Sequence, residues 1–298
     1  MSTWDTSPTA HVPVMVTEVM EALRPQPGGQ YVDCTVGAGG HALAILERIE
    51  PGGRLLGIDA DDTAISLARE NLAPFQSLVT LVKGNFSELN DLCTRHGFTS
   101  NSGILMDLGV SSMQLNTPER GFSFQREAPL DMRFDSSESP SAGEIVNNYS
   151  ERDIARILWE YGEERYSRQI AHRIVQNRPI LSTLRLAHLV QQVHGGRRGR
   201  IHPATRTFMA LRIAANRELE NLKLALDQTV ELLREGGRVV VISYHSLEDR
   251  IVKQFMRREA ASHVFSLVSR KVIRPTSLET RSNPRSRSAR LRVAERLV

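Results

Sequence analysis

Four apolar runs in the first third of the chain each lead into a residue that can do chemistry. Asp33 follows "YV", Asp59 ends "RLLGID", Asn85 and Phe86 follow "LVTLVKG", and Asp107 ends "SGILMD". After the first run comes the glycine-rich stretch "DCTVGAGGH", residues 33–41. An apolar run, a glycine turn and a helical pattern in succession make a binding loop, because glycine lets a ligand approach the backbone without meeting a Cβ. Gly37, Gly39 and Ala42 satisfy G-x-G-x-x-[GA], and Asp59 follows at the end of the next run, so the spacing formally fits a dinucleotide pyrophosphate. Asp33 argues against it. A carboxylate four residues before Gly37 repels a pyrophosphate and attracts a cation.

The other strand-end residues extend that argument. Phe86 offers a face on which adenine can stack, Asp59 an acceptor for ribose hydroxyls, and Asp107 completes an acidic rim. Acid-lined and phosphate-free is the chemistry of a pocket for S-adenosylmethionine, whose amino-acid end carries a cationic amine.

These residues need a frame. "YVDCTV", "RLLGIDA", "LVTLVKGNF" and "SGILMDLG" read as strands, and "HALAILERI", "DTAISLARENL" and "SELNDLCTRHG" as the helices between them. Alternation of this kind predicts a parallel sheet covered on both faces, with the ligand beyond the carboxyl ends of the strands. The alternation then stops. Between Gly121 and Arg217 the pattern is helical: "SERDIARILWEY" with Ser150 as N-cap, "RYSRQIAHRIVQN", and "STLRLAHLVQQV" ended by Gly195-Gly196. It resumes with "NRELENLKLALDQTVELL", the strand "GGRVVVISY", the helix "SLEDRIVKQFMRR" and two edge strands in "HVFSLVSRKVIRP" and "SARLRVAERL"; "SLETRSNPRSRS" reads as a loop. The expected organisation is 1–120 for the first part of an α/β domain, 121–217 for a helical insertion and 218–298 for the second part of the α/β domain.

Composition sets the class. No run approaches the ~18 apolar residues of a membrane span, and the polar start "MSTWDTSPTAHVP" lacks a signal-peptide layout, which leads to the expectation of a soluble, cytoplasmic protein. Cys34 and Cys93 make no disulfide framework and read as packing residues. Net charge is only +4, but it is unevenly spread. Residues 127–164 carry ten acids and three arginines, whereas 165–217 carry eleven arginines and no acid. Residues 270–298 add nine Lys or Arg against Glu279 and Glu295. Two basic blocks on a near-neutral chain point to a phosphate backbone as partner.

The segments "HVPVMVTEV", "DCTVGAGGH", "GIDADD", "DLGVSSMQLN", "PLDMRFD", "WEYGEERYSRQIA", "HPATRTFMALRIAANRELE", "GGRVVVISYHSLEDRIVKQF" and "NPRSRSARLRVAER" occur in this order. From His11 to Arg296 the chain resembles the bacterial 16S ribosomal RNA N4-cytosine methyltransferases, the type H small-subunit family also called MraW. The resemblance implies a class I, Rossmann-like methyltransferase sheet with an inserted helical domain and S-adenosylmethionine as methyl donor. It also implies methylation of the exocyclic N4 of a cytidine in the decoding region of 16S RNA, on the small subunit. Residue by residue it implies donor binding by Gly39, Gly40, His41, Asp59, Phe86, Asp107 and Gln114. His41 and Gln114 are reached only through the resemblance; Asp33 and Gly37 come from the residue argument. Small departures are Asn116, Met209 and Tyr244, where aspartate, glutamine and phenylalanine are common.

The cytosine amine is a poor nucleophile, because its lone pair is delocalised into the ring. An enzyme must accept its hydrogens, align it with the methyl group and extrude the base from any stack. The Pro-Pro turn that many amino-methyltransferases of nucleic acids place after the fourth strand is missing here. Asp107 is the first candidate acceptor and Ser111 the second. Phe122, Phe124, Tyr161 and Tyr244 are candidates for the stacking ring. Asp131, Arg133, Tyr244 and His245 are candidates for the cytidine pocket. Arg197, Arg198 and Arg200, set among glycines, with Arg206, are expected to grip RNA phosphates. No metal-ligand cluster is apparent, and the oligomeric state stays open. The rival readings are a methyltransferase for DNA cytosine, another RNA or a protein, an NAD-dependent oxidoreductase, and a non-catalytic RNA-binding protein.

Overall fold

A computed structural model describes residues 13–137, 140–195 and 202–298. Strands and helices alternate at first: α1 (Val16–Leu23), β1 (Gln30–Asp33), α2 (Gly40–Ile49), β2 (Arg54–Asp59), α3 (Asp62–Asn71), β3 (Val79–Lys83), α4 (Leu89–His96) and β4 (Asn101–Asp107). Among the described residues six helices follow: α5 (Ser112–Asn116), α6 (Ala142–Asn148), α7 (Glu151–Gly162), α8 (Ser167–Gln176), α9 (Thr183–Val193) and α10 (Ala204–Asn216). The chain then makes α11 (Glu218–Leu232), β5 (Leu233–Ser243), α12 (Ser246–Ala261), β6 (Phe265–Leu267), α13 (Ser277–Ser282) and β7 (Arg290–Arg296). The chain divides into two compact units, one running to Gly109 and resuming at Leu219, the other Val110–Glu218.

The first unit is built on one sheet of order β3-β2-β1-β4-β5-β7-β6. β1 to β5 are mutually parallel, and β7 runs antiparallel to both β5 and β6. This is the expected α/β, Rossmann-like sheet, with the two C-terminal strands extending one side. Both faces are buried, so the central strands are apolar throughout, and successive side chains go to opposite faces. Leu55, Leu105, Val240 and Ile242 join a core with Val19, Leu23 and Ile45. Leu56, Ile104, Met106, Val239 and Val241 join a second core with Leu226, Val252 and Phe255. Cys34 and Cys93 belong to that second core, and burial pushes the Cys93 thiol up to about 12.

Two elements differ from the sequence expectation. "SLETRSNPRSRS" is not a loop. It forms α13, capped by Thr276, and a 3-10 turn over Pro284–Ser288 whose Ser286 is fully buried. Its polar composition hides a local capping code. β5 begins at Leu233 rather than at the glycines, with a register shift between Asn101 and Gly103 that Gly236, at φ +73°, accommodates.

The second unit packs its helices around Ile154, Leu158, Ile170, Ile174, Leu186, Val190, Phe208 and Leu211. α7 and α10 approach closely because Gly162 faces α10; a Cβ there would lie 2.8 Å from the Arg206 carbonyl oxygen. Asn216 ties the irregular segment before α6 to α10, donating to the Met132 carbonyl at 2.7 Å and accepting from the Phe134 N–H at 2.7 Å. Among the described residues of this unit no helix is long and apolar enough to cross a membrane, and the same holds for the first unit.

Candidate active site

The strands end where the chemistry was expected. β1 closes on Asp33, β2 on Asp59 and β4 on Asp107, while β3 is followed by Asn85 and Phe86. Parallel pairing in register puts these termini along one edge of the sheet.

Asp33 is 1 % exposed. Its Oδ1 accepts from the Thr35 N–H at 3.1 Å, and its Oδ2 is buried with no hydrogen-bond partner. Burial is the main force on it and raises its pKa to about 6, although His41 and the Thr35 amide pull the other way. A buried oxygen without a partner is costly unless something arrives to use it. Asp59 is also raised to about 6 by burial, against backbone hydrogen bonds from Asp61, Gly37 and Ala60. Its Oδ2 accepts from Gly37 N–H at 2.9 Å and its Oδ1 from Asp61 N–H at 3.0 Å. The carboxylate keeps acceptor capacity for a further donor.

The glycine turn is therefore partly spent on the protein itself. Gly37 donates to Asp59, and Gly39 donates to the Val36 carbonyl at 2.8 Å. Gly39 sits at φ +90°, and a Cβ there would also press on Leu72 at 3.1 Å, so only glycine suits it. The following residue but one, His41, lies in the first turn of α2 and is 5 % exposed. Its Nε2 lies 3.4 Å from Asp107 Oδ2, and its Nδ1 is buried with no hydrogen-bond partner. Burial alone would lower the imidazole pKa, but Asp107 and Asp33 outweigh it and raise the value. A diphosphate at this helix start would face three carboxylates, so the dinucleotide alternative fails on charge as well as on spent donors.

Asp107 is the hub of the edge. Besides His41 at Oδ2, its Oδ1 accepts from the Tyr244 hydroxyl at 2.8 Å, and its own N–H donates to Thr35 Oγ1 at 2.7 Å. Tyr244 reaches Asp107 over Gly109, whose absent Cβ would stand 3.2 Å from the ring. Burial and the neighbouring carboxylate hold the Tyr244 phenol in its protonated, donating form. Phe86 is half-buried in a 3-10 turn capped by Asn85 and packs against the second core of the sheet.

The remaining candidates have structural engagements. His245 is the N-cap of α12, its Nδ1 accepting from the Glu248 N–H, while Glu248 accepts from the Tyr244 N–H at 2.8 Å. Ser111 is the N-cap of α5 in a reciprocal box with Gln114: Ser111 Oγ accepts from the Gln114 N–H at 3.2 Å, and Gln114 Oε1 from the Ser111 N–H at 3.0 Å. Asp131 and Arg133 form a two-bond ion pair at 2.7 and 3.1 Å. Phe122 stacks on Phe134, Phe124 packs edge-on to Phe208, and Tyr161 packs against the helical core, so these three rings serve the interior of the second unit. Arg206 caps α7 by donating to the Glu163 carbonyl at 3.2 Å. Arg197, Arg198 and Arg200 lie outside the described residues. Residue-by-residue reading missed Thr35 and Glu248, which position Asp107 and Tyr244; the "DCT" and "SLED" spacings of a turn and a capping box were the available signals.

The profile of the MraW methylase family matches residues 8–297. The chain belongs to the MraW methylase family. Proteins named ribosomal RNA small subunit methyltransferase H align with this methylase over nearly its whole length. That of Dehalococcoides mccartyi strain 195 is 53 % identical over 97 % of this chain and 87 % of its own. Those of Thermomicrobium roseum and Thermotoga neapolitana are each 49 % identical, over 97 % and 96 % of this chain and 94 % and 95 % of their own. The methyl donor of this methylase is S-adenosylmethionine. The residues fit it: the unpartnered Asp33 Oδ2 suits a cationic amine, and an acid-lined edge suits a donor without phosphates.

Proposed function

We propose that the methylase modifies the exocyclic N4 of a cytidine in the decoding region of 16S ribosomal RNA, in the cytoplasm, with the small subunit as its substrate. The single observation that carries the chemistry is Asp107, a carboxylate at the end of β4 held by Tyr244 on one oxygen and neighboured by His41 at the other. The names of the aligned relatives support ribosomal RNA of the small subunit as the substrate.

S-adenosylmethionine supplies an electrophilic methyl group on a sulfonium centre. In this reading Asp33 and His41 bind its amino-acid end, Asp59 takes the ribose hydroxyls, and Phe86 packs on adenine. Gly37, Gly39 and Gly40 give the close backbone approach. Asp107 accepts an N–H hydrogen of the cytosine amine through a remaining lone pair, which withdraws the nitrogen lone pair from the ring and directs it to the methyl group. Tyr244 and Thr35 fix the carboxylate's orientation, so no reorganisation is needed when the amine arrives. Gln114 as a further donor-binding residue and Ser111 as a second acceptor are retained on the resemblance alone, as are Asp131, Arg133 and His245 for the cytidine. The acid-free arginine block of the second unit, Arg206 included, is assigned to RNA phosphates, which confer salt-dependent affinity rather than sequence choice.

The test uses small subunits from cells lacking the enzyme, incubated with the protein and isotopically labelled S-adenosylmethionine. Nuclease digestion and mass spectrometry are expected to find N4-methylcytidine from one 16S fragment. Label absent from subunits and from naked RNA, with donor binding intact, would discard the substrate assignment and send the search to DNA and protein acceptors.

A further inference from the structure

The connection between β6 and β7 carries six cations, Arg270, Lys271, Arg274, Arg281, Arg285 and Arg287, and one acid, Glu279. All six are exposed, and none has an ion pair or side-chain hydrogen bond among the described residues. On the neighbouring strands and helix, Arg238 is matched by Glu295, Arg258 by Asp227 and Glu259, and Arg292 by Asp249. Glu279 does not neutralise the strip, because it is turned inward, where its Oε1 accepts from the Met15 N–H at 2.6 Å.

This segment is a fixed platform. Ile273 and Leu291 exchange two backbone hydrogen bonds of 3.0 and 2.9 Å. Ser286 is fully buried and donates from Oγ to the Asn283 carbonyl at 2.8 Å, and Ala289 enters the sheet core. Cations on an anchored backbone lose less freedom on binding than cations on a flexible tail. The platform also stands at the reactive edge. Asp107 is in register with Ile242, Ile242 with Leu291, and Leu291 with Ile273. Three strand spacings of roughly 4.8 Å put Ile273 about 14 Å from Asp107 along that rung. The charge of Glu279 is felt by both His41 and Tyr244, which locates α13 at the same end of the sheet.

We propose that residues 268–289 bind the sugar–phosphate backbone of the RNA strand whose nucleotide is presented to Asp107, with Arg281, Arg285 and Arg287 holding the phosphates. The proposal rests on the ribosomal RNA reading above. A strand delivering one base to Asp107 must carry its flanking phosphates past this edge, and the acids of the edge would repel them. An unneutralised cationic strip beside those acids supplies the attraction that lets the strand settle.

The experiment compares the full-length protein with a triple variant, Arg281→Gln, Arg285→Gln and Arg287→Gln, and with the charge-keeping triple Arg→Lys variant. Binding to unmodified small subunits and to protein-free 16S RNA is measured across salt concentrations, and donor affinity is measured separately by calorimetry. The Gln variant is expected to bind both RNA forms at least tenfold more weakly. Its log K against log salt should be shallower by about 2, at about 0.7 for each single-strand phosphate that is no longer neutralised. The Lys variant should keep the wild-type slope, and donor affinity should be the same in all three proteins. An unchanged affinity and slope in the Gln variant, with the wild type methylating subunits, would overturn the platform and leave the reaction standing. Weaker binding to subunits but equal binding to protein-free RNA would assign the strip to an acidic protein, which also overturns it. A lost donor affinity would make the segment structural. If the wild type itself neither binds nor methylates RNA, the substrate reading fails first and takes this proposal with it.

Discussion

The functional candidates of the two units differ in how their polar atoms are engaged. At the strand ends of the first unit, Asp33 Oδ2 and His41 Nδ1 are buried without hydrogen-bond partners, and three carboxylates share one edge. In the second unit the polar side chains most open to a functional reading are consumed locally. Ser111, Ser141, Ser150 and Ser182 all cap helices, and Asp131 is clasped by Arg133. A satisfied cap contributes about 1 kcal/mol and calls for no ligand. An orphaned buried acceptor costs that much or more and is retained where a ligand completes it. Unpartnered buried atoms also occur in the helical unit, at Glu164 Oε2, His194 Nε2 and Thr207 Oγ1, so what marks the reactive edge is their coincidence with three carboxylates at neighbouring strand ends.

The comparison can be broken most forcefully at Asp107. Asp107→Ala is expected to lower turnover about 10²–10⁴-fold, the range for losing a positioned proton acceptor, measured in single-turnover methylation of small subunits. A drop below tenfold would remove Asp107 from the chemistry. Phe208→Ala attacks the other side, emptying the centre of the helical core. It should destabilise the second unit by about 3–5 kcal/mol, read by denaturant unfolding. Donor affinity measured below the transition should be unaffected, and a parallel loss would contradict the separation drawn here.

Asp33→Asn sharpens the comparison, because function and stability should move oppositely. Removing the charge should weaken donor binding about 10–100-fold, the worth of a hydrogen bond to a charged group. The folded-state pKa of about 6 lies above the ordinary 3.8, so ionising Asp33 costs the ligand-free fold about 3 kcal/mol at neutral pH. The substituted protein should therefore melt higher than wild type at pH 7 and lose that advantage as pH falls through 6 towards 4. Wild-type donor affinity should fall more steeply below pH 6, as Asp33 takes up a proton, than that of the Asn variant, whose remaining pH dependence comes from Asp59. Equal pH profiles in calorimetry would exclude Asp33 as the partner of the donor's amine.

The smallest effect is expected from Tyr244→Phe, which removes one hydrogen bond to Asp107. A severalfold loss of turnover with unchanged donor affinity fits a net worth of about 1 kcal/mol. A loss as large as that of Asp107→Ala would promote Tyr244 from a positioning residue to a participant.

Much of this is legible in the sequence. The continuous apolar runs in "RLLGID" and "ILMD", each closed by an acid, set the strands and their ends, and a parallel sheet brings such ends to one edge whatever its details. The acid before the glycine turn already argued for a cationic ligand. Helices α6 and α10 were less legible: α6 is only seven residues, and α10 is apolar around most of its girth, with Thr207, Phe208, Ala210, Leu211 and Ile213 all buried, so neither shows a clean one-faced pattern. The loop reading of 277–288 erred for a related reason. Short polar helices are held by caps and tertiary anchors, which composition does not display.

Sequence alone determined the element types, the family and the residues that end each strand, because backbone periodicity and turn chemistry act over a few neighbours. Tertiary structure decided which of those residues are spent and which are left open. Gly37 donates to Asp59 across 22 positions, Tyr244 reaches Asp107 across 137, and Glu279 closes on Met15 across 264. Such partners meet only because the sheet order places β1, β2, β4, β5 and β7 side by side, and burial then fixes what each unpaired oxygen costs and what it will accept.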